Sequence, residues 1–441
     1  MTISTTYEIE IHYILPLGNI PITVDFTDRC TGFYIKQMSP VGRFGSGMAQ
    51  IELRNDDGEL TPEGSGAYAD IDWFKASLWI NAEVTGDSTS TAYLFQGIVA
   101  DIQFKDDGRT STVQIEARDA FSVGGRAPVN ADISIPAGTH TFTSGSEAIE
   151  AIYNGFTSGG TEYIPQTVMP NLGNATEVFM VTASSAASET PQVLDNLVSK
   201  APADIVNNYV MPSMPGAAWP TQIEIVGGAG PSLYVAYMLE NDLTKNTGTG
   251  VSDRRTFVFA DNAGAGELPF KRVSRQFNVG ALTNSAQLVR SVVGATEQQS
   301  QDTESIEKYG ARNRRFTTTN QNDTDTLDAA YRWSHRFSQS RFTPVTVELT
   351  DRMAELMAGA DDQIWQDLID VRTGMWSVAT VEYTPTGETS PITDVCVIVG
   401  RTFRATPSHT TLTLDLLPAA DYQSFVLNSD TIGVLDTNRL G

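Results

Sequence analysis

Tyr93-Leu94-Phe95-Gln96-Gly97-Ile98-Val99, running on to Lys105, then Asp106-Asp107-Gly108, then Thr112-Val113-Gln114-Ile115-Glu116-Ala117-Arg118, reads as a single β-hairpin. Apolar residues recur at every second position in the return strand, which places them all on one face of a sheet. The Asp-Gly pair supplies the left-handed backbone that a tight connection needs. The pattern returns near the other end of the chain. There Val397-Ile398-Val399-Gly400-Arg401-Thr402-Phe403 is followed by a Pro-containing turn and by Leu412-Thr413-Leu414-Asp415-Leu416. In both places a strand is interrupted by glycine, which in a strand interior marks a bulge or sharp curvature. Two readings account for the echo: two barrel-like β modules, one near each end, or the ordinary recurrence of strand motifs in a β-rich chain.

Outward from the first hairpin the same period continues. Ile9, Ile11 and Tyr13 alternate with polar neighbours, as do Ile20, Ile22, Val24 and Phe26, and Phe74 to Val84 gives a longer run. Further strands are predicted over 256–260, 275–279, 345–349, 376–383, 394–399 and 412–416. Helices are predicted over 146–156 with Ser146 as cap, over 189–200 with Thr190 as cap and Pro191 in the first turn, and over 324–339 with Thr324 as cap. In the last of these, Leu327, Ala330, Tyr331, Ser334 and Phe337 form the apolar stripe. Residues 302–309 read as a short helix or ordered loop, and 234–240 as helix or strand. Segments 173–188 and 211–230 are rich in small residues, Gly and Pro, and read as long loops or seams. The expected class is mainly β with α+β elements, in several domains: 1–130 and 351–441 as barrel-like β modules, 131–265 as a middle elaboration, and 266–350 as an α/β segment.

The 441 residues exceed what one hydrophobic core normally organises. With 29 Lys and Arg against 53 Asp and Glu, the formal charge of -24 argues against a broad nucleic-acid interface or docking on an anionic membrane. No apolar run approaches the length of a membrane-spanning helix. Two cysteines, Cys30 and Cys396, are too few for a disulfide framework, and Met1 to Glu10 lacks the basic-then-apolar pattern of a secretory signal.

The chain is poor in catalytic vocabulary. Its four histidines, His12, His140, His335 and His409, are scattered, and His335 lacks a Glu or His at metal-binding helical spacing. Gly42, Gly45 and Gly47 do not form a dinucleotide or phosphate loop, and read as a connector. Asp56-Asp57-Gly58 and Asp106-Asp107-Gly108 lack the spaced oxygen ligands of a calcium loop and read as turns. Asp361-Asp362 reads as solvated surface. Arg312, Arg314 and Arg315 form the most basic patch and suit an intramolecular or intersubunit contact. No catalytic, cofactor-binding or metal-binding residue is assigned, and no enzyme activity or cofactor is expected.

Four segments together resemble the minor tail or baseplate hub proteins of long-tailed bacteriophages, siphophages in particular. They are Phe95 to Val99 with Val113 to Ala120; Ser305-Ile306-Glu307-Lys308-Tyr309-Gly310-Ala311-Arg312; the helix around 327–337 followed by Pro344-Val345-Thr346-Val347; and Thr411 to Pro418 with the C-terminal Asp430 to Leu440. The order of these pieces spans most of the chain, apart from about 130–265. The resemblance implies a structural protein of the virion tail, made in the bacterial cytoplasm. It implies a homo-oligomer, with three copies under a sixfold tube. The implied partners are the distal tail or tail tube protein, the tape measure protein and other tip or fibre proteins. Two similar modules in each of three chains would offer six similar surfaces. The implied C-terminal segment 431–440 is either an arm on a neighbour or a frayed end. Alternatives on the same residues are a host-glycan-binding tail protein, with Trp219 in its site, a distal tail ring protein in six copies, and a tail-associated cell-wall hydrolase.

Overall fold

The computed structural model describes residues 2–15, 20–38, 46–62, 66–69, 71–73, 76–108, 110–119, 139–154, 156–158, 161–163, 180–184, 192–195, 202–213, 221–225, 231–236, 256–277, 282–339, 342–357 and 361–419. The predicted connector at Gly42 and Gly45, the glycan site at Trp219, and the C-terminal arm at 431–440 lie outside them.

The first hairpin forms as read: β6 (Thr89–Asp106) and β7 (Ser111–Arg118) are antiparallel, with Val113, Ile115 and Ala117 buried. They join β1 (Ser4–Leu15), β2 (Ile20–Asp25), β3 (Cys30–Met38), β4 (Ser46–Arg54) and β5 (Ser77–Thr85). The later part of the chain supplies β8 (Thr256–Ala260), β9 (Leu268–Pro269), β10 (Arg272–Phe277), β11 (Phe342–Thr350), β12 (Val378–Tyr383), β13 (Ile392–Thr406) and β14 (His409–Pro418). All belong to one 14-stranded sheet.

Its order is a repeat. The first arm runs β3-β4-β7-β6-β5-β1-β2 and the second β10-β11-β14-β13-β12-β8-β9. The inner pairings are antiparallel in both arms. The outermost two differ: β5-β1-β2 is antiparallel, whereas β12-β8-β9 is parallel. The echo in the sequence therefore corresponds to equivalent positions, and each long strand has a register shift in the same place, between Val99 and Asp101 in β6 and between Ile398 and Gly400 in β13. The glycines do not mark it identically. Gly400 sits at the shift, while Gly97 precedes it and lies where a Cβ would be 2.5 Å from the Arg118 carbonyl oxygen.

The expectation of two barrel-like modules is overturned: among the described residues no sheet closes into a barrel. A strand has two hydrogen-bonding edges, and β3, which would have to close the first arm, gives one to β4 and the other to β13 of the second arm. The arms thus fuse edge to edge into an open sheet. One hydrophobic core runs under both, from Ile3 and Ile11 to Leu414 and Ala419.

A separate small core lies in the segment between β10 and β11. Strands Gln298–Gln301, Ser285–Arg290 and Asn313–Thr318 form a three-stranded sheet in that order. Ala286 and Leu288 of this sheet pack against Ala329, Ala330 and Trp333 of a helix. Of the helices, α1 is Gly145–Asn154, α2 is Thr303–Tyr309, and α3, which covers this sheet, is Asp323–Arg336. The cap of α3 is Asn322, whose side chain accepts from Asp325 N at 2.9 Å, rather than Thr324. Its predicted stripe is also rotated: Leu327 and Tyr331 are exposed, and Thr326, Ala329, Ala330, Trp333 and Ser334 are buried. At α1 the capping hydroxyl is Ser144, which accepts from Glu147 N at 3.0 Å. The helix predicted over 189–200 is overturned, because Gln192–Asp195 is a strand antiparallel to Thr139–Phe142. Short strands at Met180–Ser184 and Thr221–Ile225 fall in segments read as loops, and Pro231–Ala236 joins them.

Candidate functional site: the seam and the open margins of the sheet

The junction of the arms is antiparallel, with Met38 opposite Gly400 and Phe33 opposite Ala405. Alternation places Phe33 and Ile35 of β3, and Arg401, Phe403 and Ala405 of β13, in the interior. Phe33 and Phe403 stack with centroids 5.9 Å apart, and Tyr7 of β1 meets both edge-on. The Tyr7 hydroxyl shares a 2.7 Å hydrogen bond with Thr410 Oγ1 across the seam, and burial raises its pKa to about 12.

Arg401 is the unexpected residue here, a cation 1% exposed beneath the seam. Its guanidinium donates to the Leu94 carbonyl of β6 at 2.6 Å, to the Ile369 carbonyl and to the Gln37 side chain of β3. The guanidinium spreads five donors over three nitrogens in a fixed plane and so spans acceptors on three separate elements, whereas an ammonium projects its three donors from one nitrogen. Burial lowers its pKa to about 10, opposed by the nearby Asp370 carboxylate, so it stays charged at neutral pH.

Ile369 ends α4 (Asp362–Ile369), a helix between β11 and β12 that docks on the hairpin formed by β5 and β6 of the first arm. Asp362 accepts from both the backbone N and the Oγ of Ser88 at 2.7 Å. Gln366 donates to the Thr91 carbonyl at 2.8 Å, Trp365 to Thr5 Oγ1 at 3.1 Å, and Tyr93 N to Asp370 at 3.1 Å. The reading of Asp361-Asp362 as solvated surface is corrected for Asp362, which is buried. The Ser88 hydrogen bonds hold its carboxyl below the ordinary range. Second-arm residues thus grip the first arm at its seam and on its hairpin.

The sheet also has unpaired margins. On one edge of β13, residues 392–397 pair with β12 and residues 400–405 pair with β3. On the matching edge of β6, residues 89–98 pair with β5, but 101–106 have no strand partner among the described residues. Likewise, among the described residues, the one strand that pairs with β10, the counterpart of β3, is β11. Phe104, which occupies the position in β6 that Phe403 occupies in β13, is 39% exposed, against 1% for Phe403.

The sequence-flagged residues form no common centre. His12 stacks on Trp79 at 4.3 Å and bonds Glu10 and Thr23, His140 is buried in the strand Thr139–Phe142, His335 stacks on Tyr331 at 3.9 Å, and His409 lies at a turn 3.5 Å from Asp351. Cys30 and Cys396 are unbridged, and burial pushes the Cys30 thiol up. Gly47 is an ordinary β4 residue whose N–H donates to Asp119. The Asp-Gly turns use their carboxylates internally: Asp57 pairs with Arg29 at 2.7 Å, Asp56 accepts from Ser111 N, Asp106 from Gly108 N and Asp107 from Thr110 N. Arg315 pairs with Glu297 at 2.8 Å, and Arg312 and Arg314 lie beside it on the exposed strand region. Among the described residues no group of three or more His, Cys, Asp or Glu is placed to hold a metal ion. No described helix is long and apolar enough to cross a membrane.

No family model matches the chain, and no curated protein does. Solved structures do. The tail protein from Neisseria meningitidis MC58 is 10% identical with a TM-score of 0.51, covering 95% of this chain and 99% of that one. The 43 kDa tail protein of prophage MuSo2 from Shewanella oneidensis is 12% identical, covering 94% and 99%, with a TM-score of 0.47. Prophage tail protein gp18 from Listeria monocytogenes EGD-e is 11% identical, covering 92% and 94%, with a TM-score of 0.44. At 10% identity the likeness to the Neisseria protein is one of fold, and it extends over nearly the whole of both chains.

Proposed function

We propose that the chain is a structural hub of a long-tailed, siphophage-like virion, joining the tail tube to the host-facing tip, and that it works as a trimer. The observation that carries this is the doubled strand order, two equivalent arms joined through one seam with the matching margins left unpaired. A heterologous contact that repeats around an axis closes into a ring when its rotation divides a full turn. Three copies present six similar arms, which is the geometry required to seat a sixfold tube on a threefold tip. The whole-length likeness in fold to a tail protein supports the same reading. The tube or distal tail protein, the tape measure protein and other tip proteins are the partners it would meet. Its work is mechanical: burying sheet margins and apolar patches against neighbours, which also protects those margins from aggregation.

A particle reconstruction in which subunits are counted is the test. Three copies in a ring directly below the tube is the expected result. Six copies would make it a distal tail ring protein instead, and its absence from the tail would overturn the reading.

A further inference from the structure

The seam inside the chain is a template for the seam between chains, and the register assigns its partners. In the first arm Phe33 lies opposite Ile51, Ile51 opposite Ile115, and Ile115 opposite Ile102. In the second, Val273 lies opposite Val347, Val347 opposite Leu414, and Leu414 opposite Arg401. Val273 therefore occupies the place of Phe33, and Ile102, Phe104 and Asp106 occupy the places of Arg401, Phe403 and Ala405. In the observed seam Phe33 faces Ala405 and Tyr34 faces Arg404.

We infer that residues 101–106 of β6 in one copy pair antiparallel with β10 of a second copy, with Asp106 opposite Val273 and Lys105 opposite Ser274. This rests on the ring reading above and names the surfaces that make the ring. Phe104 is then covered as Phe403 is covered, which accounts for a large aromatic left 39% exposed on a strand end. One step further along the register, Arg272 falls opposite Asp107, an opposite-charge cross-strand pair. The two seams differ in one useful respect. The position of the buried Arg401 is taken by Ile102, so that place is filled by an apolar side chain, while the place of Ala405 is taken by Asp106 at the strand end, whose carboxylate accepts from Gly108 N. The in-chain contact leaves its counterpart unmade, so the arms are not related by a closed twofold, and a head-to-tail contact adds further copies.

The test is a cysteine pair, Lys105→Cys with Ser274→Cys, in a Cys30→Ser background of the full chain, oxidised before non-reducing electrophoresis. Paired antiparallel Cα atoms stand about 4.5–5.5 Å apart, within disulfide reach. Cross-linked dimer and a closed trimer are expected from the double variant, and monomer from each single variant. Phe104→Asp, at an exposed site, is the second variant: it is expected to keep the far-ultraviolet circular dichroism of the parent, which reports the fold of the single chain, and to weaken association at least tenfold in sedimentation. A trimer that persists in Phe104→Asp and never cross-links would overturn this seam while leaving the hub reading standing. A chain that is monomeric in solution and absent from tails would sink both.

Discussion

Arg401→Met is the sharpest perturbation of the fold. Methionine roughly matches the length of the arginine stem and fills its apolar path, so the substitution isolates the guanidinium. Two buried main-chain acceptors, Leu94 and Ile369, lose their donor, and the partly exposed Gln37 can turn to water. A buried acceptor left unsatisfied costs about 1–3 kcal/mol, giving about 2–6 kcal/mol for two. Against this, a buried cation carries a desolvation cost of several kcal/mol that the variant no longer bears. The Asp370 carboxylate, itself buried, also loses the cation that offsets it, a loss of about 3–5 kcal/mol, so we expect a net loss of about 3 kcal/mol, and about 2 kcal/mol for Arg401→Lys, which keeps the charge but whose compact head reaches fewer of the three acceptors. Urea denaturation followed by fluorescence of the buried Trp365 and Trp376 reads it directly. A Met variant within about 0.5 kcal/mol of the parent, or more stable, would refute the reasoning: the cation would then be a net burden, and the core alone would hold the arms together.

Asp362→Ala should lose about 1.5–3 kcal/mol through the loss of its charge-assisted hydrogen bonds from Ser88, which is exposed and turns to water, read by the same denaturation. Because the Asp362 carboxyl is held below its ordinary pKa, its contribution is complete above the ordinary carboxylate range and disappears as pH falls through the depressed value; the variant should show a shallower acid loss of stability. Gly97→Ala should destabilise by about 1–3 kcal/mol, because its methyl meets the Arg118 carbonyl and the Phe95 ring, both fixed in the core; Gly400→Ala meets chiefly the Asp415 side chain and should cost less in the same melt. Asn322→Ala should remove about 1 kcal/mol by uncapping α3, seen as faster amide exchange in its first turn.

Strands were legible where one buried face imposes period two, as in β6, β7, β11 and β14, and in the first pair an Asp-Gly turn also fixes the register. What those strands join was not legible, because the partner at a second edge is chosen across the whole chain. Phe33 and Phe403 stand near opposite ends of the chain, and nothing local links them. This is why a repeat in the sequence was readable while its closure into barrels was wrongly inferred. Segment 192–195 failed for a related reason. Thr190-Pro191 and adjacent Val193 and Leu194 suit a helix start, but Gln192 is held as a strand residue by Thr319 Oγ1 at 2.5 Å and by pairing with 139–142. Arg401 and Asp362 escaped because charge in a sequence defaults to surface, and only tertiary placement supplies their partners. Helix α4 had a signal that was passed over, with Ile364, Trp365, Leu368 and Ile369 at helical spacing. No motif search would have found Phe104: its meaning comes only from comparing it with the covered residue in the other arm.

The fusion of β3 to β13 also sets a timetable. At ~5–20 residues per second the ribosome takes about 20–70 s to travel from Met38 to the first residue of β13, and throughout that interval the bare flank of β3 is in the cell without its mate. Nascent chains crowded on one message could borrow each other's strands there, so synthesis of this protein should be unusually sensitive to translation speed and to the supply of chaperones.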